Sequence, residues 1–169
     1  MNVYKTKESA IIPQYATQGS ACFDIHAAFD KGDKITAYNS VNRKIEVLTK
    51  EIEGQPAFLI HPGQRVMIPT GLIFDIPENH VMKMYIRSSA AAKKGLALSN
   101  GVGIIDSDYV EPVYMMVCNI SGYQQFIFDG NRICQAELVN ELSYMIMETD
   151  VRPEQKTDRD GGFGSTGKE

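Results

Sequence analysis

Short apolar runs separated by turn residues dominate the chain from residue 65 to residue 149. Most runs have the length of one strand or of a hairpin, and glycine, proline and asparagine, which are typical of turns, lie between them. The runs are RVMIPTGLIFDIP, HVMKMYI, PVYMMVCNI, QQFIFDGNRICQAELV and SYMIMET, and the turns are HPGQ, PENH, SGYQ and DGN. Extended helical periodicity is absent, so the pattern predicts an all-β sandwich, jelly roll or barrel.

One short helix is predicted within this pattern. The stretch SSAAAKK starts at Ser88 with a serine hydroxyl as its N-cap, carries two lysines in its last turn and runs into Gly95. Residues 29–62 are predicted to form a hairpin or loop elaboration, with a possible strand at KIEVLTKEI and a polar turn at EGQP.

Length and composition predict one domain followed by a tail. A chain of 169 residues is long enough for one domain with a substantial core. We place this domain at residues 1–151. Residues 152–169, called the arm below, contain Phe163 as their only large hydrophobic residue, so we expect the arm to be flexible.

Charge, hydropathy and cysteine content exclude several classes of protein. The net charge of -4 gives no reason to expect binding to duplex nucleic acid. No apolar run is long enough to cross a bilayer and the start is not a secretory signal, so we expect a cytoplasmic protein without membrane contact. Cys22, Cys118 and Cys134 form no CxxC pair, which predicts reduced, mostly buried thiols rather than a disulfide framework or a zinc site.

Two segments have residues suited to binding a nucleotide. Arg87 and Ser88 stand at the start of the helix, where free backbone N–H groups favour an anion, although in isolation a simple cap and a surface charge are the commoner explanation. In NGVGIIDSDYV, glycines let the backbone approach a ligand and Asn100 offers a donor and an acceptor to a base edge. Asp106 follows two isoleucines, so we expect it to be partly buried and able to hold a water as a general base. The alternative is a turn at DSD with Tyr109 as a core aromatic.

Two further segments have both a structural and a functional interpretation. Asp24 alternates with Cys22 and His26, which favours a buried, satisfied polar cluster, and we assign no role to the histidines. The segment GGFGSTGK combines glycines and hydroxyls that suit phosphates with one ring that suits a base. It matches GxxxxGK, but Glu169 follows instead of Ser or Thr and the chain ends, so a P-loop is rejected, while a flexible terminus remains an alternative.

Taken together and in order, five segments resemble the five motifs of the trimeric dUTPase family. They are ACFDIHA, IRSSAAAKKG, NGVGIIDSDYV, GNRICQAELV and RDGGFGSTGKE, and they extend over nearly the whole chain. The resemblance implies a distorted jelly-roll (β-clip) subunit in a homotrimer, with active sites built from more than one chain and closed by the arm. It also implies hydrolysis of dUTP to dUMP and pyrophosphate with Mg²⁺, which keeps uracil out of DNA and supplies dUMP for dTMP synthesis.

The resemblance implies a role for individual residues. Asp106 would activate the water that attacks the α-phosphorus and would meet the 3′-hydroxyl, while Tyr109 would pack on the deoxyribose and exclude a 2′-hydroxyl. Asn100 and the nearby backbone, including Gly103 and Ile105, would bind uracil. The phosphate chain and the base would be bound by a larger set, namely Arg87, Ser88, Ser89, Gln135, Arg159, Phe163, Gly164, Ser165 and Thr166. Asp24 would lie close to the waters of the metal.

The chain departs from the family pattern at several positions. Ser89 and Glu111 replace glycines, and the arm arginine is Arg159 instead of standing one position earlier, where this chain has Asp158. Two other functions fit the same scaffold, namely a dCTP deaminase and a nucleotide-sensing or regulatory protein. The GGFGSTG and DSDY segments favour the pyrophosphatase over the deaminase, and turnover would distinguish it from a sensor.

Overall fold

The computed structural model describes residues 1–158 as an antiparallel β structure with one short helix. In chain order the elements are β1 (Asn2–Lys5), β2 (Phe23–His26), β3 (Lys34–Tyr38), β4 (Lys44–Leu48), β5 (Lys50–Ile52), β6 (Gln55–Ile60), β7 (Arg65–Pro69), β8 (Leu72–Asp75), β9 (His80–Ile86), α1 (Ser88–Lys94), β10 (Leu96–Leu98), β11 (Gly103–Ile105), β12 (Tyr114–Asn119), β13 (Gln125–Phe128) and β14 (Arg132–Asn140). The predicted all-β jelly-roll class is confirmed.

The strands form four antiparallel sheets around one core. Their orders are β10-β12-β7-β3-β4, β11-β9-β14-β2, β13-β6-β5 and β1-β8. Alternate residues point inward in many of the strands, such as β2, β7 and β12, and one hydrophobic cluster takes residues from every sheet, including Phe58, Val66, Phe74 and Met82. Period-2 alternation in the sequence therefore corresponds to burial on one side of each sheet.

Most predicted strands are present, but the strand predicted at residues 143–149 is absent. This segment has no strand pairing, and Ile146 is 96% exposed. The sheet ends just before it, because β14 finishes at Asn140 and only the N–H of Glu141 continues the pairing, to the carbonyl of Asn79 at 2.8 Å. An apolar run forms a strand only where a neighbouring strand accepts its hydrogen bonds, and residues 143–149 have no such neighbour within the described chain.

Residues 29–62 form two hairpins rather than one strand and a turn. The stretch predicted as a single strand divides into β4 and β5 at Thr49, which is buried and whose hydroxyl donates to the carbonyls of Asp30 (2.6 Å) and Asp33 (3.2 Å). The predicted turn is present, because Glu53 and Gly54 both have positive φ, as a two-residue hairpin loop requires.

The helix begins where strand pairing ends. Its N-cap is Arg87, which is extended (φ -72°, ψ 143°) and makes no side-chain capping bond, so the prediction that the Ser88 hydroxyl caps the helix is wrong. The N–H of Arg87 still donates to Ile133 at 3.0 Å, which keeps this residue in the sheet geometry. The predicted glycine at the C-terminus is confirmed, since Gly95 adopts the left-handed conformation (φ 59°).

The three cysteines are free, as expected, and burial raises the pKa of the Cys134 thiol to about 12. Cys134 is fully buried, whereas Cys22 and Cys118 are half-buried. Within residues 1–158, no helix has both the length and the apolar character needed to cross a membrane.

Asn119 is a buried polar residue on which a stability prediction can be made. Its amide nitrogen donates to the carbonyls of Ile60 (2.9 Å) and Tyr123 (2.7 Å), and its amide oxygen accepts from the N–H and hydroxyl of Ser121. Asn119→Ala removes four hydrogen bonds, one of them buried and three partly buried, so we expect the free energy of unfolding to fall by about 2–4 kcal/mol in chemical denaturation. Asn140→Ala, at an exposed strand end, is the control and should change it by less than about 0.5 kcal/mol. Equal effects of the two substitutions would contradict this account.

Candidate functional site

Five of the predicted site residues line one cavity of about 200 Å³, called the hairpin pocket below. They are Asn100, Gly103, Ile105, Asp106 and Tyr109. The loop from β10 to β11 supplies the first of them, and pairing of β11 with β9 fixes the position of the others. The pocket is completed by apolar side chains that include three methionines, namely Met67, Met84 and Met116.

Asp106 and Tyr109 are more exposed than the sequence predicts. Asp106 is exposed, so the expectation of partial burial is wrong for the single chain, because the residue follows the last paired position of β11. Tyr109 is 41% exposed and is therefore not a core aromatic. Its N–H donates to the carbonyl of Asp106 at 3.2 Å and its hydroxyl donates to Pro112 at 3.2 Å. Both residues line the same pocket.

Gly103 is closely packed against the facing strand. A Cβ added there would lie 3.1 Å from Cε and 3.2 Å from Cβ of Met84, on the strand directly opposite. Gly101 has a positive φ of 73° in the turn that precedes it. The glycines of this hairpin thus have structural reasons of their own, apart from the approach to a ligand that the sequence suggests.

A second group of predicted residues lies on the solvent-facing side of the sheet formed by β9, β14 and β2. Gln135 is opposite Tyr85 on one side and opposite Asp24 on the other, so these three side chains share a face. Oδ1 of Asp24 forms an ion pair with Arg87, with Nε of the guanidinium group 2.8 Å away. The N-terminal turn of α1, with exposed Ser88 and Ser89, follows Arg87 directly.

Arg132 is a member of this second group that sequence reasoning missed. Its Nη1 lies 3.1 Å from Oδ2 of Asp24, and a single cavity is lined by Arg87, Arg132, Lys93 and Lys94 among others. The only signal in the sequence was its place in GNRICQAELV, three residues before Gln135. We call the group of Asp24, Arg87, Ser88, Ser89, Arg132 and Gln135 the arginine patch.

Electrostatically, the arginine patch favours an anion. Four cationic side chains line its cavity and one carboxylate, Asp24, contacts two of them. Burial lowers the pKa of Lys94, whose ammonium donates to the carbonyl of Phe126 at 3.3 Å. Burial also lowers the pKa of His26, beside Asp24 on β2, and its Nδ1 is buried without a hydrogen-bond partner.

Asp106 and Arg87 lie toward different ends of β9 in one chain. Ile105 is opposite Met82, and Arg87 lies five residues beyond Met82, which corresponds to about 16 Å at the rise of a strand. Asp106 lies further away, because β11 runs antiparallel to β9. One chain therefore does not bring Asp106 and Arg87 to the same atom of a small ligand. The remaining predicted residues, namely Arg159, Phe163, Gly164, Ser165 and Thr166, lie outside the described residues.

Comparisons with known proteins identify relatives of this chain. The family model described as dUTPase matches residues 51–167. Deoxyuridine 5′-triphosphate nucleotidohydrolase of Finegoldia magna is 34% identical, over 95% of this chain and 94% of the relative. Among solved structures, the dUTPase of Staphylococcus bacteriophage 80alpha with dUPNHPP has a TM-score of 0.74, with 18% identity over 98% of this chain and 97% of that chain. A mutant dUTPase from phage phi11 of S. aureus, described with a structural Mg(II) ion, has a TM-score of 0.67, with 16% identity over 89% and 96%.

The contact between Gly103 and Met84 leads to a prediction for the hairpin pocket. Gly103→Ala forces the added methyl group against Met84, so we expect a loss of about 1–3 kcal/mol in the free energy of unfolding, measured by denaturation. Gly122→Ala is the matched control, because a Cβ there meets nothing within 4 Å. An alanine at position 103 that is tolerated as well as one at position 122 would contradict the packing described here.

Proposed function

The chain belongs to the dUTPase family, and from this premise we propose that its hairpin pocket and arginine patch together form the site at which dUTP is cleaved. The enzyme hydrolyses dUTP to dUMP, as members of this family do. The single observation that carries the site proposal is the convergence of Asp106, Tyr109 and Asn100 on one pocket. The roles below are proposals for individual residues.

The hairpin pocket is proposed to bind the deoxyuridine. Asn100 and the backbone of Gly103 and Ile105 supply donors and acceptors for uracil, which excludes cytosine through hydrogen-bond polarity. The exposed ring of Tyr109 packs on the deoxyribose and leaves no room for a 2′-hydroxyl. Asp106 contacts the 3′-hydroxyl and orients the attacking water, and its exposure supports this role because the water must reach it.

The arginine patch is proposed to bind the triphosphate. Arg87 and Gln135 donate to phosphate oxygens, and the hydroxyls of Ser88 and Ser89 add further donors. In-line attack of water on the α-phosphorus then releases pyrophosphate as the leaving group. The positive charge around the cavity supports this assignment.

Magnesium is proposed to be held mainly by the three phosphates and by water. When bound, the ion neutralises phosphate charge and fixes the in-line geometry. Within residues 1–158, no group of three or more His, Cys, Asp or Glu side chains could hold a metal ion. An Mg²⁺ ion that arrives with the nucleotide needs no cage of protein ligands, because phosphate oxygens and water occupy its coordination positions.

We propose a homotrimer in which each site draws residues from more than one chain. The separation of about 16 Å along β9 supports this, since Asp106 and Arg87 must come from different copies to act on one nucleotide. The apolar segment from Leu142 to Met147 supports it independently, because Leu142 (68%), Met145 (85%) and Ile146 (96%) are largely exposed in one chain. Apolar surface of this kind is typical of an interface.

The arm is proposed to close over the bound nucleotide. Phe163 would stack on uracil, with Gly164 beside it. Ser165, Thr166 and Arg159 would bind the terminal phosphates. These roles rest on the resemblance of RDGGFGSTGKE to the last family motif. A cytoplasmic location likewise stays a prediction from the sequence.

Substrate selectivity tests the proposed pocket. We expect pyrophosphate release from dUTP in the presence of Mg²⁺, and rates with UTP, dCTP and dTTP at least about a hundredfold lower. The 2′-hydroxyl of UTP would clash with Tyr109, cytosine has the wrong hydrogen-bond polarity for Asn100, and the methyl group of thymine would find no space beside the bound base. A coupled pyrophosphate assay measures all four. Similar rates across the four nucleotides would contradict the pocket, and binding of dUTP without release of pyrophosphate would favour a sensor.

Mixing two inactive variants tests the shared site. Asp106→Asn removes the proposed base and Arg87→Gln removes a phosphate contact, so each alone should lose most activity. If sites lie between copies, random co-assembly leaves both residues intact in about one quarter of the sites, and co-expressed variants should regain about that fraction of activity. Each variant expressed alone is the control. A mixed assembly, verified by mass, that regains nothing would contradict a site shared between chains.

A further inference from the structure

Residues 106–113, called the Asp106 loop below, connect β11 to β12 and carry both Asp106 and Tyr109. The loop contains neither helix nor strand. At its start, pairing of β11 with β9 holds Ile105 opposite Met82. The position of the Asp106 loop over the hairpin pocket therefore depends on what holds its other end.

Thr70, in the turn between β7 and β8, holds that other end. Its hydroxyl donates to the carbonyl of Val113 at 2.7 Å and accepts from the N–H of Leu72 at 3.2 Å. The N–H of Thr70 donates to the same carbonyl at 3.3 Å, and the N–H of Val113 donates to the carbonyl of Leu72 at 2.9 Å. Thr70 is 1% exposed and Val113 is 3% exposed. Both backbone polar groups of Val113 are thus bound by residues 70 and 72.

One peptide group connects this anchor to Tyr109. The carbonyl of Pro112 and the N–H of Val113 belong to the same trans peptide, so they point in opposite directions. Because the N–H of Val113 faces Leu72, the carbonyl of Pro112 faces away from it and accepts the hydroxyl of Tyr109 at 3.2 Å. The orientation of the Tyr109 ring therefore depends on a peptide group that Thr70 and Leu72 keep in place.

On the basis of the proposed function, we propose that Thr70 is a positioning residue that holds the end of the Asp106 loop, so that Tyr109 keeps the place from which it excludes a 2′-hydroxyl. Thr70 acts through Val113, which lines the hairpin pocket together with Asp106 and Tyr109. Its contribution is to the choice between deoxyribose and ribose.

The turn that carries Thr70 is itself fixed on both sides. The carbonyl of Gly71 accepts from the N–H of Thr6 at 2.8 Å, and the carbonyl of Pro69 accepts from the N–H of Ala28 at 2.9 Å. Two segments that are distant in the sequence therefore hold the turn. A rigid support of this kind suits a residue that fixes the geometry of others.

Thr49 separates this role from a purely structural one. It is also 1% exposed, and its hydroxyl donates to the carbonyls of Asp30 (2.6 Å) and Asp33 (3.2 Å). These bonds join residue 49 to the segment before β3 and involve no residue of the Asp106 loop. Thr49 thus has the burial and the hydroxyl bonds of Thr70 without the connection to Tyr109.

The ratio of kcat/KM for dUTP to kcat/KM for UTP tests the proposal. Thr70→Val removes both bonds of the hydroxyl, and we expect the ratio to fall about tenfold, because a displaced Tyr109 admits a 2′-hydroxyl. Thr70→Ser keeps a hydroxyl and should restore the ratio. Partial unfolding lowers both rates together, so the ratio reports the position of Tyr109 rather than stability.

Thr49→Val is the matched control. It removes the bonds of an equally buried hydroxyl, so it should lower the melting temperature by an amount similar to that of Thr70→Val. The ratio should stay within about twofold of the wild-type value. An unchanged ratio in Thr70→Val, or an equal fall in both variants, would overturn the proposal.

Tyr109→Phe tests the same connection from the exposed side, even if Thr70→Val does not fold. It removes the bond to Pro112 and should lower the ratio by a similar factor, whereas a full ratio would overturn the proposal. A wild-type protein that releases no pyrophosphate from dUTP would refute the proposed function, and this inference with it. Wild-type turnover combined with an unchanged ratio in the variants would refute this inference alone.

Discussion

Pairing of β9 with β11 on one side and β14 on the other is the constraint on which the rest of the site depends. Through β11 it fixes the hairpin that carries Asp106, and through β14 it fixes Gln135 next to Asp24. Where this pairing ends at Ile86, Arg87 emerges and the helix begins. One strand therefore sets the positions of Asp106 and Arg87, and its length keeps these two residues apart within a chain.

That separation connects the fold to the chemistry. The hairpin pocket offers groups suited to a deoxynucleoside, and the arginine patch offers cations suited to phosphates. An enzyme that cleaves dUTP needs both on one nucleotide, and we propose that copies of the chain provide this when the pocket of one meets the patch of another. The exposed apolar segment around Ile146 agrees with such an assembly, because contiguous apolar surface that is exposed in one chain is typical of an interface.

Features that depend on local chemistry were predicted correctly from the sequence. Features that depend on contacts with residues distant in the sequence were predicted wrongly or missed. Gly95 was predicted as the end of the helix because few other residues tolerate its positive φ, and the strand at 80–86 followed from its apolar pattern. The strand at 143–149 was predicted wrongly, because its formation depends on a partner that a periodicity does not reveal. Likewise, Arg132 and Asp24 are separated by 108 residues, so only the fold shows that they are paired. The exposure of Asp106 depends in the same way on where β11 stops.

A structure of the assembled protein with a non-hydrolysable dUTP analogue tests the central claim most directly. The account predicts that the base and sugar of each nucleotide contact Asn100 and Tyr109 of one chain, while its phosphates contact Arg87 and Gln135 of another. A nucleotide whose base and phosphates are both bound by these residues of a single chain, or one bound away from the hairpin pocket, would contradict it.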